Sequence, residues 1–208
     1  YGSLLNWDER WWRFSHGNVV VGGDASLRWT MGTLGSRLAK VSQHVELAGA
    51  GAQVQVNGTI FTEGRQHLSY HTRQRHVAPN CRSDFLYRAA LQDKSRTIWR
   101  GMIKVDLEAQ KTNGYQRNDN LLLSSQARAD AIPGLEIDAD DVRCTHGSTT
   151  SRVDDEMIFY AESRGFTRNE AIRMIVKGFF QQIFDRISIE SVRESLGMAI
   201  ARRVREYE

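Results

Sequence analysis

The chain has 208 residues, 40% of them hydrophobic and 25% charged, and carries a formal net charge of +3 at pH 7. Basic and acidic residues are interleaved along it, which argues against a dedicated nucleic-acid surface, because displacing counterions needs clustered positive charge. No apolar run approaches the ~18 residues of a membrane span, and two cysteines, Cys81 and Cys144, exclude a disulfide-stapled framework and suit a reducing cytoplasm.

The chain starts YGSLLNWDERWW, without Met or a basic leader, so a piece of a longer protein is expected. Trp7, Trp11 and Trp12 in this stretch read as core or strand edge rather than as a stacking platform. Short apolar runs broken by Gly, Asn, Asp and Ser follow. NVVVG (18–22), SLRWTMGTL (26–34), AQVQVNGTIF (52–61), SDFLYRAAL (83–91), TIWRGMIKV (97–105) and NLLLS (120–124) all read as strands. Alternation is cleanest in AQVQVNGTIF, with Ala52, Val54 and Val56 on one face and Gln53 and Gln55 on the other. Asn57-Gly58 then predicts a tight turn, because both residues tolerate positive φ.

No convincing amphipathic helix occurs in this region, which disfavours a βαβ sheet and leaves two all-β solutions, an antiparallel sandwich or barrel, or a stacked solenoid. Strand centres at Val54, Ser69, Leu86, Ile103, Leu122 and Ile137 lie roughly 15–19 residues apart, a spacing that leaves both open.

Two histidine-bearing stretches could carry chemistry. QHLSYHTRQRH places His67, His71 and His76 among Arg65, Arg73 and Arg75; it reads as a polar sheet face, with His67 and His71 a candidate metal pair. In DDVRCTHGSTTSR, Cys144 and His146 are two apart, so an extended strand points both to one face. A thiolate with an imidazole suits zinc, iron or an iron–sulfur species. Two donors do not complete a site, and no CxxC or HxxxH accompanies them. Ligands shared with another chain therefore fit better than a site finished within this one. A Cys-His nucleophile oriented by Asp140 or Asp141 is disfavoured, because no Gly-rich oxyanion loop precedes Cys144. Asp138, Asp140 and Asp141 would be the paired carboxylates of a carbohydrate-active β-helix enzyme, the rival from another class. No phosphate-cradling GxxxxGK[ST] occurs, so this chain is not expected to hydrolyse ATP.

After Val153 the period changes from 2 to 3.6, dividing the chain into a β domain, residues 1–153, and a helical domain, residues 154–208. Asp154 caps a first helix that stops at Gly165. Thr167 and Glu170 form a capping box for the second, which carries Ile172, Ile175, Val176, Phe179, Phe180, Ile183, Phe184 and Ile187 as a wide apolar stripe. Ser188 caps a third, with Ile189, Val192, Leu196, Ala199 and Ile200 as its apolar face, and the charged tail ARRVREYE is expected to fray. Apolar face in surplus of what the core needs would be a docking surface.

The stretches SRTIWRGMIKVDLEAQKTNGYQRNDNLLLS and LEIDADDVRCTHGSTTSRVDDEMIFYAESRG closely resemble the SufB/SufD family of iron–sulfur cluster assembly proteins. The likeness runs back through QHLSYHTRQRHVAPNCRSDFLYRAAL and forward into the helices. Within the family the chain looks like the SufD side, since SufB-like chains tend to carry Glu-His-Glu-Ala-Thr-Thr where this one has CTHGSTT (144–150). The resemblance implies a right-handed parallel β-helix with a small C-terminal helical domain, and a non-enzymatic role. It implies a SufB-like subunit beside the β-helix and the SufC ATPase on the helices, with Thr167, Glu170, Ile172, Ile175, Val176, Phe179 and Phe180 as the candidate docking region. By the same carry-over His146 lies at the interface with SufB, where the nascent cluster is thought to assemble, and Cys144 shares its motif. No cofactor is expected to be held stably by this chain alone, only a transient iron or iron–sulfur cluster at that interface. Neither nucleic acid nor membrane is an expected partner. Family members usually have a further N-terminal region; without it, a free-standing homodimer is the alternative assembly.

Overall fold

The computed structural model describes residues 2–6 and 10–204. Strands β1 (Gly2–Leu5), β3 (Ser26–Thr33), β5 (Gln53–Thr62), β7 (Arg82–Leu91), β9 (Thr112–Leu122) and β11 (Val142–Arg152) form one sheet, called A. Strands β2 (Trp12–Val21), β4 (Leu38–Leu47), β6 (His67–His76), β8 (Arg96–Val105) and β10 (Arg128–Ile137) form sheet B. Every pairing is parallel and joins a strand to the next but one, so the chain crosses between the sheets at each turn. The result is a parallel β-solenoid of about five turns, followed by three helices. Paired residues lie 26 to 32 positions apart, as from Trp12 to Leu38 and from Arg96 to Arg128. The strand-centre spacing read from the sequence is half of this repeat, because each coil contains one strand of each sheet.

Inward residues of the two sheets make the core. Val54, Val56 and Ile60 of β5 and Phe85, Tyr87 and Ala89 of β7 pack against Val41, Val45, Leu68, Tyr70 and Trp99 from sheet B. The alternation in AQVQVNGTIF holds, with Val54 and Val56 buried and Gln53 exposed. The turn expected at Asn57-Gly58 is absent: both residues lie inside β5 and pair with Leu86 and Tyr87. Gly58 serves a close approach instead. A Cβ there would sit 2.2 Å from the Tyr87 ring, which is anchored by a hydrogen bond donated from its hydroxyl to Gln43.

The helices are α1 (Asp155–Glu162), α2 (Arg168–Phe184) and α3 (Glu190–Ala201). Asp154 accepts from the amide of Glu156, and Thr167 with Glu170 closes the expected capping box. Gly165, at φ +89°, lies two residues past the Ser163 cap of α1. The third helix departs from expectation: its cap position is Ile189, one residue after Ser188, with no side-chain cap bond. The tail is held as far as Val204, which is buried, and Arg203 donates to Asn6 and to the Ala199 carbonyl. The rest of the tail and Trp7 lie outside the described residues.

The apolar stripe of α2 packs onto the outer face of sheet A. Ile172, Val176, Phe180 and Phe184 join Leu34, Phe61, Ala90 and Leu121 in one cluster with Leu196 and Ile200 of α3. Helices and solenoid therefore share a core across the change of periodicity at Val153, which is itself buried within it.

Candidate functional site

Strands β10 and β11 are the last of their sheets, so each leaves one side of its backbone ladder unpaired. Following sheet A along its register shows how the interior changes toward this end. The inward column Val54–Ser83–Gly114 ends on Cys144, and the column Val56–Phe85–Gln116 ends on His146. Beside them, Gly58–Tyr87–Asn118 ends on Ser148, and Ile60–Ala89–Asn120 ends on Thr150. A greasy core thus gives way over two coils to amides, hydroxyls, a thiol and an imidazole.

The amides bond to one another and to neighbouring strands, while Gln116 Oε1 and Asn118 Nδ2 are buried without a hydrogen-bond partner. Gln116 donates across the interior to the Gly134 carbonyl at 3.0 Å, and Asn120 donates to Asn118 and to Thr150. Cys144 is half-buried, packs with Ile103, Val105 and Ala139, and has its thiol pushed up by burial. A bound metal cation would reverse that by stabilising the thiolate. His146 is exposed at the mouth of the solenoid. Cys144 and His146 share a face, as their spacing requires. Among the described residues no group of three His, Cys, Asp or Glu side chains could hold a metal. Across the mouth, sheet B offers Leu135 and Ile137, 38% and 39% exposed.

A polar chain, buried at Asp119 and open to solvent at Thr149 and Gln182, ties this end to the helices. Arg88 of β7 donates to the Phe179 carbonyl and to Gln182 on α2, and stacks over the Phe179 ring at 5.2 Å. Its guanidinium also faces Asp119 of β9 at 3.4 Å, with only 14% and 5% of the two side chains exposed. Asp119 in turn accepts from the Thr149 hydroxyl of β11 at 2.7 Å. Thr149 lies three positions beyond His146 on the same strand. Nothing in the local sequence marks these residues; coil spacing alone aligns Arg88, Asp119 and Thr149.

The other candidates divide. His76 is fully buried in the interior, between Ser83 at 2.8 Å and Thr112 at 3.5 Å, and burial lowers its pKa to about 4. His67 and His71 both point outward from β6, but four positions along one strand separates them by roughly 13 Å, too far for one metal ion. Asp138, Asp140 and Asp141 fall in the turn between β10 and β11, where Asp138 approaches Lys104 at 4.0 Å. Thr167 and Glu170 are occupied with each other, while Ile172, Val176 and Phe180 are buried in the shared core. A cavity of about 850 Å³ opens between α2 and α3, lined by the exposed Met174 and Met198, with Val176 and Phe180 along its wall.

The His76 environment has a measurable consequence. A neutral buried imidazole binds no proton in the folded state until the pH nears 4, whereas the unfolded chain takes one up near 6.5. Its contribution is fully present above pH ~6.5 and is lost as the pH falls toward 4, about 3 kcal/mol in all. Urea midpoints should fall between neutral and acid pH, and His76→Gln should flatten that slope.

Similarity to known proteins bears on what this site serves. A model of the SufBD core domain of the SUF system for iron–sulfur cluster assembly matches residues 1–179. An iron–sulfur cluster assembly SufBD family protein of Mycobacterium leprae (strain TN) is 36% identical over 205 residues, covering 95% of this chain and 52% of the relative. The corresponding protein of Mycobacterium tuberculosis (strain ATCC 25618 / H37Rv) is 35% identical over the same shares. The iron–sulfur cluster assembly protein SufD of Escherichia coli (strain K12) is 31% identical over 92% of this chain and 45% of its own length. The chain thus spans about half the length of these relatives.

Proposed function

The chain belongs to the SufB/SufD family of iron–sulfur cluster assembly proteins, and from that premise we propose that it is a non-catalytic, SufD-like subunit of a cytoplasmic assembly complex. A SufB-like subunit covers the open end of the solenoid, and the nascent iron–sulfur cluster is cargo built between the two chains. One observation carries this reading: Cys144 and His146 stand together at an uncovered strand edge, with no third ligand among the described residues. Half a ligand set at a solenoid mouth that also exposes Leu135 and Ile137 suits a site completed by a second chain.

The SufC ATPase docks at the groove between α2 and α3, where exposed methionines offer an adaptable apolar surface. Motion imposed on α2 reaches β11 through Arg88, Asp119 and Thr149, and so shifts the strand that carries both donors. This chain's own residues position and bind; ATP hydrolysis belongs to the partner.

The test is co-expression with the SufB-like and SufC partners, comparing wild type with His146→Ala. Size exclusion should show an intact complex in both cases. Disturbing a residue that merely orients a metal ligand weakens metal sites about 10–100-fold, so losing a ligand should lower cluster formation at least tenfold, read from the visible absorption. Cluster formation at the wild-type level would refute the role of His146. The same open edge could be covered by a second copy of this chain, and sizing the protein without partners reads that out.

A further inference from the structure

Among the described residues no helix packs on the outer face of sheet B, since α2 packs on β5 and β7 of sheet A. Outward side chains form a grid on this face, one row per coil. His16 of β2 aligns with Ser42 of β4, His71 of β6 and Arg100 of β8. In the neighbouring column His44 aligns with Arg73, and in the column on the other side Lys40 aligns with Ser69. Three histidines from three different coils therefore meet. The rings of His16 and His44 are 5.0 Å apart, and those of His44 and His71 are 5.5 Å apart, both edge to face.

The centre of this face contains no acid. Lys40, Arg73 and Arg100 form no ion pair among the described residues, although Arg73 lies within electrostatic reach of Glu136 at the margin, and the buried Nε atoms of His44 and Arg73 lack a hydrogen bond. Acids stand only at the margins, and each is engaged. Glu46 and Asp106 hold Arg75, Asp130 holds Arg96 and Arg128, and Glu136 holds Lys104. Close-packed basic groups oppose each other's protonation. Burial comes first in lowering the pKa of His44, followed by His16, His71 and Arg73; for His71, burial is followed by Arg100, Arg73 and Lys40. His67, nearer the margin, is lowered by burial and Arg96, against Asp130. Such mutual repulsion on an uncovered face is relieved by an anion.

We propose that the centre of this face is a docking site for an acidic stretch of a polypeptide, whose carboxylates seat among Lys40, Arg73 and Arg100. Dimensions and charge layout select that partner. Outward positions along a strand repeat every ~7 Å, the same interval at which an extended peptide presents alternate side chains. From β4 to β8 the cations span about 10 Å, two inter-strand spacings, which matches two or three carboxylates. A nucleic-acid strand carries charge at every nucleotide and would run its flanking phosphates onto the acids of the margins. Charge on the bound segment also favours the protonated histidines, so docking takes up protons.

The experiment titrates the intact protein with poly-L-glutamate at low salt by calorimetry, at about pH 6 and about pH 8. Binding should be several-fold tighter at the lower pH, with proton uptake seen as a buffer-dependent heat. The triple variant Lys40→Gln/Arg73→Gln/Arg100→Gln should bind at least about tenfold more weakly, with an unchanged circular dichroism spectrum. The double variant His44→Gln/His71→Gln should keep the affinity at pH 8 and lose the pH dependence. Equal binding by the triple variant and wild type would overturn the site. Tighter binding of a single-stranded oligonucleotide or of anionic lipid vesicles at matched salt would overturn the choice of a polypeptide. None of these readouts involves cluster assembly, so the result stands apart from the proposed function.

Discussion

Truncating Phe180 to alanine should destabilise the chain by about 3–5 kcal/mol, the loss expected when a fully buried aromatic leaves a cavity that its neighbours cannot fill. The side chain is completely buried, with the rings of Phe179 and Phe184 at 5.1 and 6.1 Å. Its cluster joins both long helices to Leu34, Phe61, Ala90 and Leu121 of sheet A, so the loss falls on the joint between helices and solenoid. Chemical denaturation should show the midpoint shifting down. Phe179→Ala is the comparison, because that ring is only partly buried and its distinctive contact is the stacked Arg88. Similar small losses from both variants would mean that the helices are held mainly by polar contacts.

Asp119→Ala should have an effect of similar size for a different reason. Removing one partner of a buried ion pair leaves the other charge uncompensated, which typically costs about 3–5 kcal/mol. Here the orphan would be Arg88, whose guanidinium pKa is already drawn down, first by burial. Asp119 also holds Thr149 and Arg117, so its loss loosens β11 as well. Hydrogen exchange should rise in β11 and α2 together, whereas Thr149→Val should raise it in β11 alone. Exchange confined to β9 after Asp119→Ala would show that no coupling passes through this residue.

Much of the architecture was legible from local pattern. The β5 alternation, the capping box at Thr167 and the stripe of α2 each depend on residues a few positions apart. Misreadings came where one signal serves two physical purposes. Asn57-Gly58 suits a turn, but glycine also lets an aromatic ring of the next coil approach the backbone, and Tyr87 lies 29 residues away in sequence. The stripe of α2 read as core or docking surface alike. Sheet A needs a cover over Phe61, Ala90 and Leu121, and Ile172, Val176, Phe180 and Phe184 of the stripe supply it.

The pairing of Cys144 with His146 was visible because two residues apart on a strand share a face wherever the strand lies. That they sit at the mouth of the solenoid, below Gln116, Asn118 and Asn120, depends on which strand has no neighbour. The basic residues look dispersed along the chain and balanced by acids. Folding into coils of 26 to 32 residues sorts them, bringing Lys40, Arg73 and Arg100 together and pairing the acids at the margins. Periodicity, caps and shared faces follow from the sequence alone, since each is set within one turn or one strand. Register belongs to the tertiary structure, because it joins residues a whole coil apart, and register decided what lies at the open end and on the outer face.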